Sequence, residues 1–439
     1  MGKLRRTLLA FLAINMVAVA YVSLADESPA ILSMRERTQV IDRLLLTRLE
    51  TVLPQEMRKY NFDMWLVICR ETNEDPVFRT LSPEDPWAVK RLSMLVFYDR
   101  GPQEGVERII IARYGKKLYR NEWRRLEESQ WESLARVVAE RDPQRIAINQ
   151  SESMWHADGL SATLKRKLVE SLDPKYTARL HSGEALAIGW LERRIPEEME
   201  IYSHVVSIAH HIVAEAFSSR VITPGVTTSD DLNWWLRERF RELKLIATFQ
   251  PDIDIIRNKA GGKAPEDMVI RRGDVIHCDI GFEYLRMCTD IQELGYVLRE
   301  GETDAPEGLK RALQMGNRMQ DILCEEIKEG LTGNEVQAAA LKKGREEGLN
   351  PKVYSHPIGF HLHAAGPVFG LPELQNGVPG RGDFPVHYNT CYAIELSVNA
   401  EIPEWGGQQV RFSLEEDAIF TRDGVFFFGG LQTEFHLIK

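Results

Sequence analysis

The pattern of apolar and polar positions divides the chain into two parts. In the first part, short apolar runs typical of buried strands alternate with stretches of helical periodicity. Alternation of this kind favours a layered α/β fold, so we predict an N-terminal α/β domain over residues 26–194. The strand-like runs cover residues 64–69, 93–98, 108–112 and 145–148, and the helical stretches cover residues 31–60, 123–140 and 160–172.

The second part begins after Arg193 and Arg194, where Pro196 is placed to open an amphipathic helix over residues 197–219. Helical stretches and alternating strand patterns follow, without an internal repeat or a low-complexity run. This mixture predicts an α+β domain over residues 195–439, with helices packed on a curved, mostly antiparallel sheet. A Gly- and Pro-rich loop at 366–385 is expected to shape a pocket beside the sheet.

Two aspartates interrupt apolar strand-like runs of this second part. Asp279 lies in the run 275–281, and Asp290 follows eleven residues later in the run 287–291. A carboxylate in a buried strand loses several kcal/mol of hydration unless it is paired or bound to metal. Two such runs separated by a turn are typical of a hairpin, which would bring both carboxylates to one place.

Two further alternating runs each carry a glutamate on their polar face. In the run 392–398 the even-numbered positions are apolar, so Glu395 faces the other way, among small residues. In the run 410–420 the same alternation places Glu415 opposite the apolar face. That parity selects Glu415 over its neighbour Glu416, although a β-bulge would reverse the choice.

The expected cluster combines four carboxylates with the imidazole of His356. Carboxylates packed together cannot all stay ionised without counter-charge, and two divalent metal ions would supply it. Bridging carboxylates hold such ions about 3.5–4 Å apart and present a water molecule as nucleophile. A set rich in oxygen, with one imidazole and no thiolate, favours Mn²⁺ and tolerates Co²⁺, Zn²⁺ or Fe²⁺. The predicted ligands are Asp279, Asp290, His356, Glu395 and Glu415.

The order of these residues resembles the pita-bread metallopeptidases, the family of methionine aminopeptidase, aminopeptidase P, prolidase and the metal-free creatinase. The resemblance covers residues 195–439 well and residues 30–190 more loosely. The motifs that carry it are Asp279-Ile280-Gly281, Thr289-Asp290, the seven-residue step from His356 to His363, and the strand from Glu415 to Thr421.

The resemblance implies a role for each ligand. Asp279 would bind one metal ion only, whereas Asp290 and Glu415 would bridge both ions. His356 and Glu395 would complete the shell of the second ion. Glu395 would also carry a proton from the attacking water toward the leaving amine.

His363 resembles the family's histidine that hydrogen-bonds the scissile carbonyl or the tetrahedral intermediate. The chain departs from the proline-specific branch at three places. The segment 249–257 contains no histidine, Lys352 stands where a histidine often precedes the metal-binding one, and Ser413 stands where an arginine is common. These departures leave the metal ligands intact and predict a looser preference for proline.

These features predict an exported di-metal exopeptidase, nearest an Xaa-Pro aminopeptidase or Xaa-Pro dipeptidase, that cleaves the N-terminal peptide bond of short peptides. The N-terminal domain would restrict the cleft to short substrates. One alternative is a hydrolase of another small amide on the same scaffold. A second is a noncatalytic module that binds peptides, although retention of all five ligand types argues against it.

The other histidines have simpler interpretations. His361 is interpreted as a loop or strand-edge residue, and His210 and His211 as residues on one helix face. His277 lies two residues before Asp279 and shares its face, so it is a candidate neighbour of the metal ligands, although a packed histidine is the more ordinary interpretation.

Composition fits a two-domain enzyme. The chain has 439 residues, 44% of them hydrophobic, which is enough for two cores. Its net charge of −10, with no basic stripe, argues against nonspecific nucleic-acid binding. An odd number of cysteines, five, shows no pairing pattern, and Cys278, Cys288 and Cys391 alternate with apolar residues like small buried side chains. A homodimer is compatible with these features.

The N-terminus predicts an export signal over residues 1–25. Lys3, Arg5 and Arg6 precede an apolar run at 8–24, and Ser23-Leu24-Ala25 offers a cleavage site between small residues. Cleavage would yield a periplasmic or secreted protein without stable membrane insertion. An uncleaved membrane anchor is the alternative.

Overall fold

The structure is a computed structural model that describes residues 29–85, 88–259 and 268–439. The export signal predicted at residues 1–25 lies outside the described residues. Among the helices of the described ranges, none combines the length and the apolar character needed to cross a membrane.

The N-terminal part is built on one mixed sheet, with strand order β4-β3-β2-β1-β5-β6. β1 to β3 are antiparallel neighbours, whereas β5 and β6 extend the sheet in parallel. Trp65 and Val67 enter one core and Leu66 and Ile68 the other, so both faces of β1 are buried. The strands are β1 (Met64–Arg70), β2 (Leu92–Asp99), β3 (Val106–Ala112), β4 (Arg120–Asn121), β5 (Ile146–Ile148) and β6 (Leu180–Ser182).

The helices of this part confirm the α/β prediction but differ in two bounds. The helix expected at 31–60 is interrupted at Thr51, because Pro54 has no N–H to donate to the carbonyl of Glu50. The helix expected from residue 123 begins only at Gln130, where Ser129 and Glu132 cap each other's backbone N–H groups. The helices are α1 (Met34–Glu50), α2 (Val52–Lys59), α3 (Gln130–Arg141), α4 (Ala162–Ser171), α5 (Pro174–Thr177) and α6 (Glu184–Glu192).

Within its described residues, the C-terminal part packs four long helices around three sheets. The sheets have the strand orders β18-β10-β9-β7 (with β8 also on β9), β11-β14-β15 and β12-β13-β16-β17. The helices are α7 (Pro196–Ala216), α8 (Ser229–Glu242), α9 (Glu307–Glu326) and α10 (Gly333–Glu346). The strands are β7 (Ile246–Ala247), β8 (Asp252–Ile256), β9 (Val275–Tyr284), β10 (Met287–Val297), β11 (Pro351–Val353), β12 (His356–Ile358), β13 (Thr390–Ala393), β14 (Leu396–Ile402), β15 (Gln408–Leu414), β16 (Asp417–Thr421), β17 (Gly424–Phe427) and β18 (His436–Ile438).

Each of the two stretches predicted as a single alternating strand is interrupted at its glutamate. β13 and β14 flank Glu395, and β15 and β16 flank Glu415. The freed backbone groups pair across the gap, since Ile394 N–H donates to the Glu416 carbonyl at 2.9 Å and Gln292 N–H donates to the Glu415 carbonyl at 3.0 Å. The predicted apolar face nevertheless enters one core: Val410, Phe412, Leu414, Ala418 and Phe420.

Ion pairs join the N-terminal part to the C-terminal part. Arg79 binds Glu283 at 2.8 Å, and Arg286 binds Glu84 at 2.7 Å. Arg48 of α1 pairs with Glu198 of α7 at 2.8 Å, and both side chains are buried. The N-terminal part therefore lies directly against the sheet that carries the predicted ligands.

Candidate metal centre

The five predicted ligands come from a strand hairpin, a strand start and two strand interruptions that meet in one place. Asp279 lies on β9 and Asp290 on β10, where Asp290 is paired with Gly281, two residues from Asp279. Since residues two apart share a face, the two carboxylates are diagonal neighbours on one side of the hairpin. His356 opens β12, and Glu395 and Glu415 occupy the two interruptions described above.

Three of the five form a tight group. The Nε2 atom of His356 lies 3.5 Å from Asp290 Oδ2 and 3.5 Å from Glu415 Oε1. One side-chain atom from each of these three residues lies within 4.8 Å of the other two. Gln292 extends the group, because its Nε2 donates to Glu395 Oε1 at 2.7 Å and to Glu415 Oε2 at 2.8 Å.

Electrostatics show that Asp279 belongs to the same group. Burial raises the pKa of Asp279 to about 8, and the charge of Glu395 adds to that increase. Burial, together with the neighbouring carboxylates, also holds the pKa of Asp290 and of Glu415 well above the ordinary range. Burial opposes protonation of His356, but its 3.5 Å contact with Glu415 and the surrounding negative charge raise its pKa. The raised carboxyl pKa values show that the group has too little positive charge of its own to keep every carboxylate ionised.

The unsatisfied atoms of this group suit divalent metal ions. Within the described residues, Asp279 Oδ1, Asp290 Oδ1, His356 Nε2 and Glu415 Oε1 are buried without a hydrogen-bond partner. Buried polar atoms are seldom left unpaired, and oxygen-rich sets with one imidazole are ordinary ligands of divalent ions. The donor set therefore fits the predicted metals.

We expect metal-free protein to lose stability as pH rises from about 4 to about 8. A carboxyl group whose pKa is raised on folding stabilises the folded state fully below its unfolded pKa of about 4, and loses that contribution as pH rises through its folded pKa. For Asp279 the folded value is about 8. Saturating Mn²⁺ replaces these protons, so the difference in Tm between metal-loaded and EDTA-treated protein should be about 5 °C or more wider at pH 8 than at pH 5. Scanning calorimetry of both forms tests this, and a difference that stays constant with pH would contradict it.

Gln292 and His277 are additional residues of the site. Gln292 had no place in the sequence interpretation, although its position two residues after Asp290 on β10 gives both residues the same face. His277 Nε2 lies 2.9 Å from Gln292 Oε1, which leaves the amide N–H groups to the two glutamates. His277, weighed in the sequence as a neighbour of the ligands, thus contacts them through Gln292.

His363 lies beside the group and forms no hydrogen bond or ion pair with its carboxylates. Its ring centroid is 4.6 Å from that of His356, and the two planes are nearly perpendicular, at 82°. Desolvation in the cleft, with His356 and Arg381 nearby, lowers the pKa of His363 to about 4. The ring is therefore neutral at pH 7 and has one N–H to donate to a substrate oxygen.

His363→Ala is expected to leave metal content near normal and to lower kcat by about 10²–10³, the scale of one lost transition-state donor. The reason is its place beside His356, with a ring that forms no hydrogen bond or ion pair with the carboxylates. Elemental analysis and steady-state kinetics on the same preparation test this. Loss of metal together with activity would make His363 a ligand instead.

Comparisons with known proteins agree with this architecture. No curated protein matches the sequence. Among solved structures, an X-Pro aminopeptidase from Thermotoga maritima is 18% identical, with 87% of this chain and 99% of that chain covered and a TM-score of 0.62. An Xaa-Pro dipeptidase from Bacillus anthracis is 19% identical, with 90% and 100% covered and a TM-score of 0.57. Zinc-substituted aminopeptidase P from E. coli is 13% identical, with 91% and 96% covered and a TM-score of 0.55.

At these identities the structural matches establish the fold, and they confirm the predicted α/β domain followed by a pita-bread domain. The family follows from the sequence. The model of metallopeptidase family M24 matches residues 200–421, just over half of the chain and the stretch that contains every predicted ligand. This protein therefore belongs to metallopeptidase family M24.

Proposed function

We propose that the protein is a di-metal exopeptidase that hydrolyses the N-terminal peptide bond of short peptides, preferably with proline in the second position. The observation that carries the proposal is the convergence of five metal-ligand side chains, four of them with buried atoms that lack a partner among the described residues. The family is one of metallopeptidases, and the structural neighbours act on Xaa-Pro peptides by name. The native pair of ions is proposed to be Mn²⁺.

The five side chains divide the binding task. Asp279 would hold one ion, Asp290 and Glu415 would bridge, and His356 and Glu395 would complete the second site. When bound, the ions would polarise the scissile carbonyl and lower the pKa of the attacking water.

Two residues of the chain are placed to handle protons and charge. Glu395 is only partly buried, and Gln292 fixes its Oε1 at 2.7 Å. Its other oxygen is left to take a proton from the attacking water and to pass it to the leaving amine nitrogen. The neutral ring of His363 would donate its N–H to the substrate oxygen on which negative charge develops.

The cleft beside these residues is closed on one side by the N-terminal part. The ring of His156 packs on that of His361, with centroids 4.8 Å apart, and Arg381 lies 4.2 Å above the Trp155 ring. Arg381 Nε and Nη2 are buried and have no hydrogen-bond partner among the described residues. Desolvation lowers the pKa of Arg381 to about 10, so it stays charged at pH 7. A half-buried guanidinium whose charge acts on His363 suits the C-terminal carboxylate of a short peptide.

Arg381→Gln is therefore expected to lower kcat/KM for a dipeptide such as Ala-Pro by about 10–100-fold, mainly through KM. The same substitution should leave metal content unchanged and have little effect on the dipeptide amide, which has no carboxylate. Arg422→Gln, which alters an exposed arginine stacked on Tyr388, serves as the matched control. Equal losses of kcat/KM for the free acid and the amide would show that Arg381 does not bind the substrate carboxylate.

The packing of Phe249 next to Asp279 supports the proposed preference for proline. A Cβ atom on Gly281 would lie 2.5 Å from the ring of Phe249, so this ring packs against the strand on the face that carries Asp279. Phe249 belongs to the segment that lacks the histidine expected in proline-specific relatives. An apolar wall accepts a proline ring, while the missing hydrogen bond lowers discrimination by about 1–3 kcal/mol.

The decisive experiment compares kcat/KM for Xaa-Pro and Xaa-Ala tripeptides with Mn²⁺ present, alongside N-acetylated controls. We expect Xaa-Pro to be preferred, Xaa-Ala to be cleaved measurably, and the blocked peptides to be resistant. Efficient cleavage of blocked peptides would rule out an exopeptidase. If fully metallated protein cleaves no peptide, the proposal fails in favour of another small amide or of a peptide-binding role.

We further propose that the protein is exported, on the strength of the N-terminal charge and apolar pattern alone. Cell fractionation with N-terminal sequencing tests this proposal. A new N-terminus close to Asp26 in the exported fraction is expected, whereas an intact Met1 in the membrane fraction would indicate an anchor.

A further inference from the structure

A second group of metal-ligand side chains lies outside the candidate catalytic centre. His210 of α7 contacts Glu293 of β10 through Nδ1, and its Nε2 lies 3.3 Å from Glu416 Oε2. His436 of β18 contacts the other oxygen of Glu293 through Nε2. One atom from each of His210, Glu293 and Glu416 lies within 4.8 Å of the other two.

This group lies on the opposite face of the strands from the catalytic residues. Asp290 and Glu293 are three positions apart on the uninterrupted strand β10, so their side chains point to opposite sides. Glu416 likewise follows Glu415 directly and contacts His210 instead of His356. The two groups are therefore separate sites that share strands but no side chain.

Glu416 is the member of the group that its ion pair with His210 leaves without a hydrogen bond. It is only 2% exposed, yet neither of its carboxylate oxygens has a hydrogen-bond partner among the described residues. His210 Nε2 is also buried without one, because its approach to Glu416 lacks hydrogen-bond geometry. A Cβ atom on Gly429 would lie 2.4 Å from that nitrogen, so only glycine at this position leaves space for the imidazole of His210.

We propose that His210, Glu293 and Glu416 form a third divalent-metal site, distinct from the catalytic pair, which binds Zn²⁺ and fastens α7 to β10 and to the interruption between β15 and β16. Zn²⁺ accepts both imidazole nitrogen and carboxylate oxygen as ligands, and a site with three protein ligands leaves a fourth position for water. Among the available divalent ions, Zn²⁺ binds nitrogen and oxygen ligands more tightly than Mn²⁺ does.

The surroundings of the site support a bound ion. His436 holds the second oxygen of Glu293, as outer hydrogen bonds usually orient ligating carboxylates. The side chains of His210 and His436 are 25% and 27% exposed, so a hydrated ion has a path from solvent. Both glutamates are almost fully buried, which makes a counter-charge there worth more than at the surface.

The experiment counts zinc in the full-length chain. Metal-stripped protein is equilibrated with buffered Zn²⁺, desalted and analysed for zinc per chain, as wild type and as His210→Ala, Glu416→Gln and His211→Ala. His211 is the matched control, because it is the adjacent histidine on the same helix and has no place in the group. We expect the first two variants to bind one equivalent less than wild type and His211→Ala to bind as much.

The same variants in an Asp290→Asn background separate this site from the catalytic one. There we expect one zinc equivalent to remain, Zn²⁺ to raise the Tm, and both effects to vanish with His210→Ala. Glu416→Gln preserves volume, so circular dichroism should show a folded protein even if His210→Ala unfolds. Equal zinc content in Glu416→Gln and His211→Ala would overturn the proposal and leave the group as ion pairs alone. That outcome would not bear on the catalytic centre, whose failure would appear as loss of peptidase activity in fully metallated wild type.

Discussion

Asp290→Asn is expected to release both catalytic ions and to lower kcat/KM by at least about 10³-fold. Asp290 is 4% exposed, its Oδ2 lies 3.5 Å from His356 Nε2, and its Oδ1 is buried without a partner among the described residues. The charge of Asp290 also raises the pKa of Glu415, so the two carboxylates interact electrostatically. If Asp290 binds both ions, its loss should release both of them. Asparagine has nearly the same volume as aspartate, so the substitution should preserve the fold.

Metal content per chain and kcat/KM should be measured on one preparation, with Mn²⁺ present as in the activity assay. Asp254→Asn is the control, because it neutralises an exposed carboxylate of the neighbouring strand β8. If Asp290→Asn retains two ions and normal turnover while folding normally, Asp290 does not bridge the ions and the ligand assignment is wrong.

Local patterns made much of this architecture predictable. Asp279 and Asp290 lie on one hairpin, so their approach follows from an eleven-residue spacing and strand alternation. The start of α7 at Pro196 could also be predicted, because proline at the first helical position is a local signal. Both features depend on residues close in sequence.

The strand interruptions at Glu395 and Glu415 were not foreseen, yet they did not disturb the assignment of faces. Each interruption spans two residues, an even number, so the alternation resumes in phase on the far side. A one-residue bulge would have exchanged Glu415 and Glu416. The alternation rule was therefore correct about which glutamate meets His356, although the predicted continuous strand was wrong.

Contacts between distant segments were beyond the sequence interpretation. His210 was interpreted as part of a helix face, but Glu293 lies 83 residues further along the chain and His436 143 residues beyond Glu293. Helical periodicity alone does not show what a helix face meets. A signal was present in Glu293 itself, a carboxylate in a strand that is buried throughout, on the face opposite Asp290. The signal at Gln292 was weaker, because burial of an uncharged amide is less unusual than burial of a carboxylate.

Glu415→Gln is expected to be far more damaging than Glu416→Gln, although both replace buried neighbours with an isosteric amide. Glu415 Oε1 lies 3.5 Å from His356 Nε2, and its Oε2 accepts the Gln292 amide at 2.8 Å, so the residue is fixed among the catalytic ligands. Its loss should remove at least one catalytic ion and lower kcat/KM by about 10³-fold or more. Glu416 faces His210 on the other side of the strand.

The comparison is informative because burial is equal, at 1% and 2% exposure, so differences in folding cost cannot account for a large difference in activity. Glu416→Gln should keep both Mn²⁺ ions and lose activity by less than about 10-fold, while its zinc count falls by one equivalent. The content of Mn²⁺ and of Zn²⁺ in each variant, measured together with kinetics, shows which glutamate serves the catalytic centre and which serves the zinc site. Equal loss of catalytic metal in both variants, or the reverse ranking, would mean that the alternation along β15 and β16 does not decide which glutamate serves the catalytic centre.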